Sequence, residues 1–139
     1  MPTPKQRVLI LCTANSARSQ MAEGLLRHDF GDRFEVESAG ARATLVRLEA
    51  IAAMREIGVD ISGHRSKSVD EFAEVTFDRV ITVCDNAREA CPVYPGHTTN
   101  RMHHAFDDPA ALEGTEAERV AEFSRVRDQI RAWFREIFG

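Results

Sequence analysis

The chain has 139 residues, of which 43% are hydrophobic and 29% are charged. This length and composition are typical of one soluble globular domain, which we expect to span residues 1–139. A formal net charge of -4 argues against general binding to nucleic acid or to a membrane surface. No apolar stretch is long enough to cross a membrane, and the N-terminal one is too short for a secretion signal. We therefore expect a cytoplasmic protein, with a monomer as the default.

Apolar periodicity predicts an alternation of strands and helices. Four segments have the pattern of strands: residues 7–11, 34–38, 78–83 and 99–106. Three segments have apolar residues at helical spacing: residues 19–30, 45–57 and 116–138. Ser68, followed three residues later by Glu71, resembles a capping box that opens a short helix to about residue 75. Residues 85–96 contain two prolines and a glycine, which predicts an irregular segment.

This alternation predicts an α/β fold: a four-stranded parallel sheet with helices on both faces. Ligands of such sheets bind at the carboxyl ends of the strands. Cys12, Cys84 and the pair Asp107-Asp108 each follow a predicted strand. We therefore expect these side chains to face the same rim of the sheet.

Small and polar residues connect the first strand to the first helix, between Cys12 and Ser19. Cysteine at the end of a strand, with a helix N-terminus directed at it, has a lowered thiol pKa and sits where anions collect. Successive backbone N–H groups of such a loop can surround a tetrahedral oxyanion, and Arg18 can bind two of its oxygens. A buried structural cysteine is the plainer alternative. The candidate oxyanion-binding residues are Thr13, Ala14, Asn15, Ser16, Ala17, Arg18 and Ser19.

Three cysteines, an odd number, favour reactive or redox thiols over a structural disulfide framework. Cys84 and Cys91 have six residues between them. They could be two unrelated buried thiols, or metal ligands completed by one of three histidines, although metal sites more often use closer cysteine spacing. A redox pair explains the odd count better. The histidines in question are His97, His103 and His104.

The loop from Cys12 to Ser19, followed by Gln20-Met21-Ala22-Glu23-Gly24, resembles the anion loop of low-molecular-weight protein tyrosine phosphatases. It resembles still more the loop of the thioredoxin-coupled arsenate reductases built on the same fold. The resemblance covers nearly the whole chain. The cysteine pair, Cys84 and Cys91, is the feature that separates the reductases from the phosphatases of this fold. It extends through Ser38-Ala39-Gly40, Asp60-Ile61-Ser62, Cys84, Cys91-Pro92 and Phe106-Asp107-Asp108-Pro109.

The resemblance implies a mechanism without a cofactor or a metal. The Cys12 thiolate attacks arsenate held by Arg18, and Asp108, which directly precedes the proline, protonates the departing hydroxide. Cys84 then attacks Cys12 and releases arsenite, and Cys91 attacks Cys84 to leave a disulfide that thioredoxin reduces. The alternative for Asp108 is an ordinary turn cap. Asn15 would hold the loop in shape through its side-chain amide, or would simply be a turn asparagine.

Two other functions remain open at this point. A phosphatase would use the same Cys12, Arg18 and Asp108 to form and hydrolyse a thiophosphate, although the tyrosines of the phosphatase cleft are missing after Pro109. A thiol redox sensor or metal-binding module would need only the cysteines, and would leave Arg18 and Asp108 without a role.

The chain also departs from its relatives. Ala14 and Ala17 stand where relatives often have glycine and cysteine, so we expect small adjustments of the loop and fewer competing disulfides. Some relatives bind potassium near the loop through residues that match Asn15, Glu23 and Ser38, together with an acidic residue. Lys67 stands at the position of that acid. Its ammonium could take the place of the cation, which predicts turnover independent of potassium, unless Lys67 is a solvated surface lysine.

Overall fold

The computed structural model describes residues 4–85 and 91–139, so part of the segment predicted to be irregular, residues 86–90, lies outside the described residues. The four strands form one parallel sheet in the order β2-β1-β3-β4. The strands are β1 (Gln6–Cys12), β2 (Phe34–Gly40), β3 (Arg79–Thr82) and β4 (Arg101–His103). The α-helices are α1 (Arg18–Phe30), α2 (Leu48–Arg55) and α3 (Glu116–Phe138), and two 3₁₀-helices cover Val69–Phe72 and Pro109–Ala111. The predicted α/β fold with a four-stranded parallel sheet is confirmed.

The central strand β1 is buried on both faces, which explains its continuous apolar run. Val8 and Ile10 face a large core shared with all three α-helices, and Leu9 and Leu11 face a smaller one. All four are fully buried, and burial of each such side chain stabilises the fold by about 1.5–3 kcal/mol. On the second face the helical cover is the short 3₁₀-helix Val69–Phe72, packed with Phe77 and Tyr94.

Helix α3 closes the larger core. Thr115 and Glu118 form a reciprocal capping box at its start, which satisfies two backbone N–H groups that would otherwise lack partners. Its apolar stripe packs along α1 and α2 through Phe123, Val126, Ile130 and Phe134, all buried. No helix in the described part of the chain is both long enough and apolar enough to span a bilayer.

One predicted helix start is wrong, and at the other, Ser68, the short helix begins as predicted but ends at Phe72. Helix α2 begins at Leu48 rather than Leu45, because residues 41–47 make hydrogen bonds to the loop after β1 and leave the Leu45 side chain 82% exposed. At Ser68 the predicted capping box does not form: Ser68 Oγ accepts a hydrogen bond from Asp70 N, while the Glu71 carboxylate is paired with Arg65. A 3₁₀-turn results. Strand β4 is also shorter than the predicted 99–106.

Candidate active site

The loop between β1 and α1, which we call the anion loop (residues 12–18), lies at the carboxyl ends of the two central strands. Cys12 is the last residue of β1, and Arg18 is the first residue of α1. Gly40, at the end of β2, lies directly beside the loop. A β-carbon at Gly40 would lie 2.7 Å from Asn15 N and 2.8 Å from Thr13 O, so only glycine permits this approach.

Every carbonyl group of residues 13–17 accepts a hydrogen bond from outside the loop, over distances of 2.8 to 3.4 Å. Because a trans peptide places its N–H opposite its C=O, these bonds turn the following N–H groups toward the inside of the loop. The donors are Ala41 N and Arg42 N to Thr13, the Thr44 and Ser66 hydroxyls to Ala14, the Gln20 amide to Asn15, Arg47 N to Ser16 and Met21 N to Ala17. The loop is thereby preorganised to receive an oxyanion.

Asn15 is the centre of this arrangement. Its φ of 48° makes it the single non-glycine residue with a left-handed backbone among the described residues. Its buried side chain donates to Ser19 Oγ (2.8 Å) and Ser38 Oγ (2.9 Å), and its Oδ1 accepts from Lys67 N at 2.8 Å. Asn15 therefore fits both of its interpretations: its side-chain amide holds the loop in shape, and its backbone makes the left-handed turn. Ala14 keeps an ordinary negative φ, so alanine there needs no strained backbone.

Arg18 and Asp108 come together at a cavity of about 560 Å³ whose floor includes Cys12. The Arg18 side chain is buried, and its Nη1 donates to Phe106 O at 3.1 Å, which fixes it beside the Asp107-Asp108 turn. Asp108 lines the cavity, and its Oδ1 accepts from Ala110 N at 3.0 Å, so it is a turn cap as well. Asp107 points elsewhere and pairs with Arg125 at 3.2 Å. This geometry favours Asp108 over Asp107 as a proton donor at the cavity.

Cys84 and Cys91 are joined in a disulfide, with their Cα atoms 5.9 Å apart. Cys84 is buried and Cys91 is half-buried, whereas Cys12 is a buried, reduced thiol. Strands β1 and β3 are hydrogen-bonded neighbours, and Val83 N donates to Leu11 O at 3.0 Å. Cys12 at the end of β1 and Cys84 just after β3 therefore lie at one rim of the sheet. Across residues 4–85 and 91–139 no group of histidine, cysteine or acidic side chains is arranged to hold a metal ion.

Lys67 lies beneath the loop, and it is buried rather than solvated. Its ammonium lies 2.6 Å from Glu37 Oε2 and 3.8 Å from Glu23 Oε1. Ser38 Oγ donates to the same Glu23 oxygen at 2.6 Å and accepts from Asn15. A positive charge of the protein itself therefore occupies the surroundings of Glu23 and Ser38.

Sequence reasoning missed Gln20, the side chain that holds Asn15 from behind. Gln20 is fully buried, and its Nε2 donates to Asn15 Oδ1 (2.9 Å), Asn15 O (3.2 Å) and Arg65 O (3.1 Å). Its Oε1 lies 3.0 Å from Nδ1 of His64. Burial lowers the pKa of His64, opposed by the nearby Glu23 carboxylate and reinforced by Arg27 and Lys67, so a neutral ring can donate to Gln20. Thr44 and Ser66, whose hydroxyls donate to Ala14 O, were also missed, because no sequence motif marks any of these three residues.

Comparisons with known proteins agree with this site. An arsenate reductase of Bacillus licheniformis is 48% identical over 126 residues, which are 91% of this chain and 90% of that protein. The structure of an arsenate reductase in an oxidized state has a TM-score of 0.78 at 28% identity, covering 95% of each chain. A Corynebacterium glutamicum thioredoxin-dependent arsenate reductase has a TM-score of 0.62 at 28% identity, covering 99% of this chain and 64% of that one.

The resemblance predicted from the anion loop and the cysteine pair is thus confirmed. The family model of the low molecular weight phosphotyrosine protein phosphatases matches residues 7–138, nearly the whole chain. This chain belongs to the low molecular weight phosphotyrosine protein phosphatase family.

Proposed function

We propose that this protein is an arsenate reductase that works by a relay of three cysteines. The observation that carries the proposal is the Cys84–Cys91 disulfide at the same rim as a reduced Cys12 in a preorganised anion loop. Ester hydrolysis would need the loop but would have no use for a redox pair. The named relatives, arsenate reductases at up to 48% identity, support the same activity.

The first step forms a bond between Cys12 and arsenic. Arsenate sits in the anion loop with its oxygens on the inward N–H groups and on Arg18, whose buried guanidinium is held at Phe106 O. The Cys12 thiolate attacks the arsenic atom as hydroxide departs, and Asp108 supplies the proton that makes this leaving group water. Asp108 Oδ1 is the cap acceptor, and Oδ2 makes no hydrogen bond within the described residues, so Oδ2 is the oxygen to carry that proton.

The second step moves two electrons from sulfur to arsenic. Cys84 attacks the Cys12 sulfur as its thiolate, the Cys12–arsenic bond breaks, and arsenic leaves as arsenite with the electron pair of that bond and with the proton that Cys84 has given up. Cys91 then attacks Cys84, forms the Cys84–Cys91 disulfide and restores the Cys12 thiolate. Two thiols have become one disulfide, which balances the reduction of As(V) to As(III).

A dithiol protein, thioredoxin, is the proposed reductant of that disulfide. Cys84 is buried, whereas Cys91 is half-buried, so an incoming thiolate reaches the Cys91 sulfur. A groove of about 240 Å³ lies against Cys91, and the neighbouring Val93 side chain is 80% exposed. The thioredoxin dependence of the Corynebacterium glutamicum relative supports this partner. A cytoplasmic monomer that binds neither nucleic acid nor membrane stays a prediction.

A coupled assay tests the proposal. The protein is incubated with arsenate, thioredoxin, thioredoxin reductase and NADPH, and NADPH loss is followed in wild type, Cys84→Ser and Cys91→Ser. We expect arsenate-dependent consumption in wild type and loss of turnover in both variants. A phosphatase would instead hydrolyse p-nitrophenyl phosphate equally in all three proteins without consuming NADPH, and a redox sensor would show no dependence on arsenate.

A further inference from the structure

Two arginines at the mouth of the cavity above Cys12 have no carboxylate partner in the part of the chain that the structure describes. Arg42 and Arg47 line this cavity and are exposed, and neither side chain makes an ion pair, hydrogen bond or ring contact within the described residues. Some arginines away from the cavity are neutralised, as Arg65 is by Glu71 and Arg131 by Asp29, so the position of Arg42 and Arg47 at the cavity is what sets them apart.

The backbone of both residues is attached to the anion loop itself. Arg47 N donates to Ser16 O at 2.9 Å, and Arg42 N donates to Thr13 O at 3.4 Å. These bonds fix the two Cα positions at the rim whatever rotamers the long side chains adopt. The two charges are therefore kept at the entrance of the cavity.

The net charge of the residues that line the cavity has the opposite sign to the net charge of the whole chain. Its lining contains three arginines, Arg18, Arg42 and Arg47, and two carboxylates, Glu49 and Asp108, a formal sum of +1. The chain as a whole carries -4. An anion approaching from solvent is repelled by the rest of the surface and attracted here, and a concave, low-dielectric entrance strengthens that field.

We propose that Arg42 and Arg47 form an electrostatic entrance that captures the oxyanion and delivers it to Arg18. The inference rests on the proposed function and adds a consequence for the product. Arsenate is an anion near neutral pH, whereas arsenous acid is uncharged, so the entrance attracts the substrate and does not retain the product. Because phosphate and sulfate are also tetrahedral anions, the entrance admits them equally, and the choice of arsenate is made by the redox chemistry that follows.

The kinetic test compares kcat/KM for arsenate over a range of ionic strength. In R42Q/R47Q we expect kcat/KM at low salt to fall about tenfold, at the lower end of electrostatic steering, with kcat unchanged. The difference should shrink as salt shortens the Debye length to about 3 Å at 1 M. R42K/R47K, which keeps both charges, should retain the wild-type kcat/KM and its salt dependence. R135Q is the matched control, because Arg135 is an exposed arginine of α3 that does not line the cavity.

Anion capture can also be measured without arsenate. In the oxidised protein Cys12 is the remaining thiol, and we expect phosphate bound in the anion loop to protect it from iodoacetamide. R42Q/R47Q should need about tenfold more phosphate for half-protection at low salt, following the same electrostatic reasoning. The phosphate-protection experiment reports on the entrance even if the wild-type protein fails to reduce arsenate. Such a failure would overturn the proposed function and leave the entrance untouched. The proposed entrance would be overturned if R42K/R47K or R135Q lost as much kcat/KM and phosphate protection as R42Q/R47Q. It would also be overturned if R42Q/R47Q lost neither.

Discussion

Replacement of Gln20 by methionine is expected to loosen the anion loop from behind. Methionine has nearly the shape of glutamine and fills the same buried space, so the change removes hydrogen bonds without opening a cavity. Asn15 O and Arg65 O each lose their Gln20 donor, and the His64 ring loses its acceptor. Asn15 Oδ1 keeps the bond from Lys67 N at 2.8 Å.

The size of the effect follows from these lost bonds. Leaving a buried polar group without a partner costs about 1–3 kcal/mol. Three groups are affected: the carbonyl of the fully buried Asn15, the ring of the half-buried His64 and the carbonyl of the exposed Arg65. With partial relaxation we expect the free energy of unfolding to fall by about 2–4 kcal/mol. The left-handed turn at Asn15 shifts as its carbonyl is released, and a misplacement near 1 Å is enough to lower kcat/KM about a hundredfold.

Urea unfolding and arsenate kinetics of Q20M provide the measurement. Q129M is the control, because Gln129 is an exposed glutamine of α3 and its substitution should change stability by less than about 0.5 kcal/mol. Half-protection of Cys12 by phosphate should need more phosphate in Q20M and the wild-type amount in Q129M. If Q20M unfolds and binds phosphate as wild type does, the hydrogen bonds from Gln20 do not hold the loop.

Three further predictions concern single positions around the loop. Gly40→Ala should lower stability by about 1–3 kcal/mol and weaken phosphate protection of Cys12, because the new methyl would meet backbone atoms of Asn15 that cannot yield; wild-type unfolding and protection would contradict this. Wild-type turnover should be the same in potassium and sodium salts at constant ionic strength, because the Lys67 ammonium lies beside Glu23; a clear rise with potassium would refute it. Asp108→Asn keeps the cap acceptor, so urea unfolding should be unchanged while kcat falls about a hundredfold; unchanged kcat would exclude Asp108 as the acid.

The strands, and with them the rim of the sheet, could be predicted from the sequence because their signal is local. The apolar run of β1 is long enough to indicate burial on both faces, and β3 repeats it with a cysteine after each strand. Parallel pairing of these two strands then places Cys12 and Cys84 at the same rim of the sheet, whatever the loops do. Tertiary contacts were needed only to show which of Cys12, Cys84 and Cys91 are bonded.

Helix α2 shows where local signals fail. Leu45 and Leu48 continue the apolar spacing of the helix, yet both are exposed, at 82% and 77%. The preceding segment instead donates hydrogen bonds to the anion loop, through Thr44 Oγ1 to Ala14 O and Arg47 N to Ser16 O. Bonds to residues thirty positions away decide where this helix begins, and no periodicity within the segment contains that information.

Gln20 shows the same limit at the site. A glutamine on the first turn of a helix is ordinarily exposed, and nothing beside it in the sequence marks it as buried. Its role depends on Arg65 and His64, more than forty positions away. The residues that contact the anion could be named from a motif, whereas those that hold the loop in shape could be found only in three dimensions.

The relay through Cys91 is the central claim, and single turnover of Cys91→Ser tests it most directly. The reduced variant is mixed with excess arsenate, arsenite is quantified, and the disulfides are mapped by mass spectrometry. We expect one arsenite per protein molecule and a trapped Cys12–Cys84 disulfide, because no third thiol resolves it. Sustained turnover with thioredoxin, or no arsenite at all, would contradict the three-cysteine mechanism.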